Sequence, residues 1–125
     1  ADPAISPWFA YVDLITPNES ELELLGGKRK LFASGIRTIV TTLGSAGYEI
    51  ADGKSSVRYP CLKVKAIDTT AAGDTLCGGL AVGLAEGKSL ADACAFGSKA
   101  ASIACTRRGA QQSIPLRDEV LQYQA

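Results

Sequence analysis

Apolar and polar positions fall into short blocks along the chain, and the spacing within each block predicts its element. Tyr11–Thr16 (YVDLIT) is a compact apolar run closed by Pro17, the pattern of a short buried strand. Asn18 then offers an N-cap, Glu21 a capping partner three residues on, and Leu22, Leu24 and Leu25 an apolar helical stripe. GGKRKLFASG predicts a short basic helix ending at Gly35, and Ile36–Thr42 a β-branched strand that stops at Gly44. The interval between these two strands admits one crossover helix, as a parallel pair needs. Tyr48–Ala51 and Ser55–Tyr59 flank an Asp52-Gly53 turn and read as a hairpin. Leu62–Ala66 is again strand-like. Thr75–Glu86 predicts a helix holding Gly78, Gly79 and Gly83, each costing about 1 kcal/mol against Ala, so close backbone packing or approach by a substrate is expected there. A second helix, Leu90–Thr106, is rich in small residues that suit burial against the sheet or the preceding helix. Thr106–Pro115 is then a loop and Leu116–Gln124 a short terminal helix.

Composition narrows the function classes. At 125 residues the chain suits one compact α/β unit, or part of one, burying roughly two thirds of its unfolded surface. Lys plus Arg and Asp plus Glu number 13 each, which disfavours nucleic acid as the main partner. No apolar run approaches the roughly 18 residues of a membrane span, and ADPAISPWF lacks the pattern of an export signal, so a cytoplasmic chain with no membrane partner is expected. Cys61, Cys77, Cys94 and Cys105 are widely spaced without a CxxC pair, and are expected to be reduced and mostly in the core. With no His in the chain, Ser–His and Cys–His nucleophilic machinery is excluded within it. The absence of Met predicts a processed chain or a piece of a longer one.

The chemistry concentrates between Ala66 and Leu84, AIDTTAAGDTLCGGLAVGL. A strand-like segment yields to small residues and then to a helix, whose first N–H groups and positive dipole end form an anion site. Ala71, Ala72 and Gly73 carry almost no side chain, so a phosphate could approach the backbone closely. Asp74 places a carboxylate beside that pocket. Two readings stay open: it complements the helix dipole, or it accepts a proton from a hydroxyl attacking a phosphoryl group. The absence of a G-x-x-x-x-G-K-[ST] motif disfavours a P-loop kinase, and the absence of a G-x-G-x-x-G after a strand disfavours a dinucleotide-binding unit. Asn18 and Glu21 are explained by capping alone, Thr42–Gly47 by an ordinary tight turn, and Arg107 and Arg108 as solvated or dipole-complementing charges at a helix C-terminus.

DTTAAGDT, residues 68–75, closely resembles the C-terminal signature of the ribokinase-like (PfkB) family of carbohydrate kinases; TPNESELELLG and TLGSAG resemble other segments of that family in the same order. The resemblance implies a three-layer α/β/α fold with a mostly parallel sheet, residues 1–125 being the C-terminal nucleotide-binding and catalytic portion of a single domain, inactive alone. The sugar-binding N-terminal part and the lid through which the parent protein would dimerise would be missing. Segments 3–12 and 26–30 are short for the family, through trimmed loops or missing residues. By resemblance, Asp74 is the catalytic base and contacts the substrate hydroxyl, with Ala71, Ala72 and Gly73 forming the anion pocket. Asn18, Thr42, Leu43, Gly44, Ser45, Ala46, Gly47, Gly73 and Ser98 would bind ATP, and Glu21 would hold Mg2+ indirectly. The loop after Thr106 is most similar to the ribose-phosphorylating branch, in which a monovalent cation, usually K+, lies beside the anion pocket. Asp68, Thr70, Ala104, Arg107, Gly109 and Ser113 would be its ligands, several through carbonyl oxygens. The implied reaction moves the γ-phosphoryl group of ATP to the primary hydroxyl of a pentose, D-ribose foremost. Another sugar or nucleoside kinase of the family, and a non-catalytic nucleotide-binding module, remain the alternatives.

Overall fold

The computed structural model describes Phe9 and residues 11–123. Two compact units make up the chain, the first ending at Pro60 and the second beginning at Cys61. The short segment 3–12 lies largely outside the described residues.

The first unit runs β1 (Leu14–Ile15), α1 (Glu19–Leu24), α2 (Lys28–Ala33), β2 (Thr38–Thr42), β3 (Tyr48–Asp52) and β4 (Ser56–Tyr59), with the strands side by side in that order. β1 is shorter than the run Tyr11–Thr16 suggested. It pairs in parallel with β2, Leu14 opposite Thr38, and an isolated bridge from Asn18 to Thr42 continues the pairing. The other two pairs are antiparallel. Of the mostly parallel sheet that the resemblance implies, the described residues therefore hold one parallel pair. The reason is local, because the short turns at 43–47 and at Gly53 cannot carry the crossover that parallel strands need. Asp52 closes that turn, its Oδ1 accepting from the N–H groups of Lys54 (2.7 Å) and Ser55 (2.8 Å). Leu25, Leu31, Ile36 and Ile39 form the core with Phe9, and Ile15, Leu22 and Phe32 pack against it.

Among the described residues of this unit one charged side chain is buried. Glu49, 6% exposed, stands on β3 between Thr41 of β2 and Arg58 of β4, and its carboxylate pairs with Lys28 at the start of α2 and with Arg58. The hydrogen bond from Lys28 is the main reason that the Glu49 carboxyl titrates below its ordinary range.

The second unit comprises α3 (Ala72–Ala85), α4 (Leu90–Cys105) and α5 (Arg117–Gln122). Leu62–Ala66 forms no strand, because its backbone finds no ladder partner among the described residues. The chain that follows is tied instead to α4, where the N–H groups of Ile67 and Asp68 donate to the Cys105 carbonyl at 2.7 and 3.1 Å. α3 begins three residues earlier than the apolar pattern suggested, and α5 ends at Gln122; Gln124 lies outside the described residues. Of the four thiols, none in a disulfide, only Cys94 is buried; Cys61, Cys77 and Cys105 are partly exposed, which corrects the expectation of mostly core cysteines. Cys105 ends α4 and Cys77 shares the exposed stripe of Gly73 on α3, so neither position is enclosed.

α3 and α4 meet backbone to backbone. A Cβ on Gly79 would lie 2.6 Å from the Gly97 Cα, and one on Gly83 2.8 Å from the Ala93 Cβ. Gly78 differs, since a Cβ there would meet nothing within 4 Å. The packing explanation therefore covers two of the three helix glycines. α5 closes the unit by burying Val120 against Ala100 and Ile103.

Two predictions follow from these contacts. Gly79→Ala should lower stability by about 2 kcal/mol in urea unfolding, while Gly78→Ala should raise it by up to about 1 kcal/mol. Glu49→Gln should destabilise by about 2 kcal/mol at neutral pH. A carboxyl whose pKa is depressed on folding stabilises above its unfolded value and loses that contribution as pH falls through the folded one. The stability difference between Glu49→Gln and the unmodified chain should therefore shrink on acidification below pH 4.5, as followed by thermal unfolding.

Candidate active site

Three sequence-predicted residues of the first unit converge at the end of β2. Asn18 caps α1 by accepting from the Glu21 N–H (2.8 Å), and Glu21 returns the bond to the Asn18 N–H (3.2 Å). The Thr42 N–H donates to the Pro17 carbonyl (3.0 Å), which sets the cap beside the strand end. Thr42 leads into the turn, where Gly44–Ala46 form a single 3-10 turn closed by the Leu43 N–H on the Gly47 carbonyl (2.9 Å). Gly44 (φ 60°) and Gly47 (φ 103°) occupy left-handed backbone that a side chain would strain. Gly44, Ser45 and Ala46 are exposed and Leu43 partly so, leaving the loop backbone open to a ligand. The Asn18 N–H holds the Glu21 carboxyl below its ordinary pKa, so it is ionised at neutral pH. An amide oxygen and an ionised carboxylate form a donor set suited to a hydrated divalent cation.

In the second unit the AAGD residues make the first turn of α3. Ala71 is the N-cap and provides no side-chain hydrogen bond, whereas Ser89 caps α4 by accepting from the Asp92 N–H at 3.1 Å. Ala71 is held from behind: its carbonyl accepts the N–H (2.9 Å) and the hydroxyl (2.6 Å) of buried Thr75. Gly73 and Asp74 are exposed, and a Cβ on Gly73 would meet nothing within 4 Å. The turn thus presents bare backbone at the positive end of a 14-residue helix, with one carboxylate in the same turn.

Beside it lies a cluster of oxygen atoms. The Asp68 Oδ1 accepts from the Thr70 N–H (2.9 Å) and hydroxyl, and its Oδ2 accepts from the Gly109 N–H (3.0 Å), tying the segment before α3 to the loop after α4. These donors, the Thr70 hydroxyl foremost, hold the Asp68 pKa at about 2. The Arg107 N–H donates to the Ala104 carbonyl (3.1 Å), and buried Ser113 donates its hydroxyl to the Ala110 carbonyl (2.6 Å). Carboxylate, hydroxyl and carbonyl oxygens fit a hard cation rather than a transition metal, and among the described residues no group of three His, Cys, Asp or Glu is placed to hold a metal ion. The Arg107 side chain at the C-terminal end of α4 pairs with Glu119 of α5. Ser98 is 6% exposed within α4, so its hydroxyl is not open to solvent.

The sequence reading missed a groove of about 250 Å³ that opens beside Asp74. Asp74, Gly78 and Val82 form one side at i, i+4 and i+8, and Phe96, Pro115 and Arg117 are among the rest of its lining. The open space above Gly78 belongs to this groove. The four-residue spacing from Asp74 was the available signal; the opposite wall comes from α4 and α5 and had none.

A family model described as pfkB family carbohydrate kinase matches residues 1–117. The chain belongs to the pfkB family. This pfkB chain is 42% identical to the ribokinase of Haemophilus influenzae, over 90% of its own length and 40% of the relative's, and 44% identical to that of Staphylococcus aureus, over 89% and 41%. It therefore spans about two fifths of the length of these relatives. Among solved structures, the ribokinase of Thermotoga maritima aligns with a TM-score of 0.89 at 40% identity, covering 96% of this chain and 46% of that one. The ribokinase of Arabidopsis thaliana, solved with ribose and ATP, aligns with a TM-score of 0.85 at 30% identity, covering 91% and 41%. The fold is accordingly ribokinase-like α/β. No helix among the described residues is long and apolar enough to cross a membrane.

Asn18→Ala removes the side-chain acceptor of the α1 cap and should cost about 1 kcal/mol in urea unfolding, whereas Asn18→Asp keeps an acceptor and should cost less than half of that.

Proposed function

We propose that this chain is the C-terminal nucleotide-binding and catalytic portion of an ATP-dependent sugar kinase whose acceptor is the primary hydroxyl of D-ribose. The observation that carries the reading is the uncapped first turn of α3, with exposed Gly73 and Asp74. A binding pocket for phosphate gains nothing from a carboxylate in the same turn, whereas a phosphoryl-transfer site needs a base there. Identity of 42% to a ribokinase, and the capture of ribose and ATP by another, support the acceptor and the donor.

The acceptor hydroxyl lies against Asp74. As its oxygen attacks the γ-phosphorus, Asp74 takes the proton, the bond to the β,γ-bridging oxygen breaks, and ADP leaves. N–H groups of the α3 first turn stabilise the charge on the transferred group. The open loop Thr42–Gly47, with Asn18, binds nucleotide. Mg2+ supplied with ATP neutralises phosphate charge, and Glu21 and Asn18 would hold it through its waters. Asp68, Thr70, Ala104, Arg107, Gly109 and Ser113 would hold K+, whose field adds to that of the helix end. A nucleoside acceptor is the second reading, favoured by the groove of about 250 Å³ beside Asp74, whose lining includes the aromatic ring of Phe96.

The test is ADP release by the full-length protein carrying this chain, with ribose, other pentoses and nucleosides as acceptors, with and without K+. Ribose should give the highest kcat/KM. Asp74→Asn should lower kcat by about a thousandfold while changing ATP affinity less than about twofold. Turnover retained in Asp74→Asn would remove Asp74 as the base, and preference for a nucleoside would establish the second reading.

A further inference from the structure

The loop from Thr106 to Leu116 contributes three of the oxygen positions assigned above to the monovalent cation, yet most of it is irregular backbone. Its middle is pinned where the Gly109 N–H meets the Asp68 Oδ2 (3.0 Å). Its two ends are pinned by one residue that no motif singled out. Glu119 of α5 pairs one carboxylate oxygen with the Arg107 guanidinium at the near end, and accepts the Leu116 N–H (2.9 Å) on the other at the far end. The position of Glu119 is itself determined by the next residue, Val120, which is 2% exposed and docked against Ala100 and Ile103. The carboxylate is thus a brace that transmits the seating of α5 on α4 to the loop.

We propose that Glu119 is a positioning residue for the cation site: by clamping Arg107 and Leu116 it holds the loop carbonyls at the spacing a large monovalent cation requires. This rests on the cation reading given above. Glu119 faces its two donors inside the loop, so it acts through the backbone of residue 107 and touches neither cation nor substrate. Losing the clamp frees the loop ends while Asp68 still ties the middle, so the cation oxygens persist but are no longer preorganised. Affinity for K+ should then fall without loss of the phosphoryl-transfer residues.

The experiment uses the full-length protein carrying this chain, titrated with KCl at constant ionic strength against tetramethylammonium chloride. Two midpoints are read: that of the K+-dependent rise in unfolding temperature, which needs no turnover, and that of K+ stimulation of ADP release. Glu119→Gln and Arg107→Gln should each raise both midpoints about fivefold, the double variant no further, and Glu119→Gln should leave turnover in the absence of K+ unchanged. Asp118→Asn, which removes a like charge one residue away, should leave the midpoints within about twofold, separating the clamp from a general loss of negative field. Unaltered midpoints in Glu119→Gln, beside a clear K+ response of the unmodified protein, would overturn the proposal and reduce Glu119 to a structural brace. A K+ response absent from the unmodified protein would overturn the cation reading and this proposal with it. If Glu119→Gln folds poorly, the midpoints of Arg107→Gln decide the same question.

Discussion

The backbones of α3 and α4 approach each other with no side chain between them at Gly79 and Gly97, and the rest of the second unit depends on that approach. Gly97 sits so close to α3 that a Cβ there would lie 2.5 Å from the Leu76 carbonyl oxygen. Helices this close leave little freedom in angle or register, because interiors packed to crystal-like density cannot absorb even one methyl group without movement. α5 then has one place to bury Val120, and the loops at either end of the helix pair are drawn to neighbouring points. A helix glycine costs stability locally, and here the cost is offset by the precision with which the α3 N-terminus is placed.

That N-terminus is arranged to remain polar and open. Ala71 leaves the end of α3 without a side-chain cap, and the Thr75 hydroxyl satisfies the N-cap carbonyl from the buried side. The Asp68 carboxylate takes three donors within the loops, which hold its pKa at about 2, so it is charged at neutral pH. Asp74 sits in the first turn of α3 and is exposed. Two carboxylates near one helix end thus have separate work: one is held in place by three loop donors with acceptor capacity left on Oδ2, the other is presented to solvent. The first unit follows the same economy. Asn18 and Glu21 satisfy each other's N–H groups, and buried Glu49 is held by cations from α2 and β4.

The chemistry of the chain was legible wherever it was local. The capping box needs residues three apart, the hairpin a two-residue turn with Asp52 at its entry, and the Thr42–Gly47 loop two glycines at left-handed angles; all are carried by neighbours in the sequence. The same holds for Ala71–Asp74, whose small side chains and carboxylate announce a bare helix start before any fold is known. Leu62–Ala66 went the other way, because β-period composition creates a strand only where another strand offers its edge. Cysteine burial was misjudged for a similar reason: an apolar neighbourhood in sequence does not say which side of a helix faces inward.

Local sequence thus determined which residues cap, turn and expose backbone, since those outcomes depend on short-range hydrogen bonds and steric limits. Tertiary structure alone decided that Gly79 touches Gly97 while Gly78 faces an open groove, that Arg107 pairs with Glu119, and that Asp68 reaches Gly109 across 41 residues of chain. Each of these is a pairing between segments distant in sequence. Such pairings follow from how the helices pack, and no local propensity encodes them.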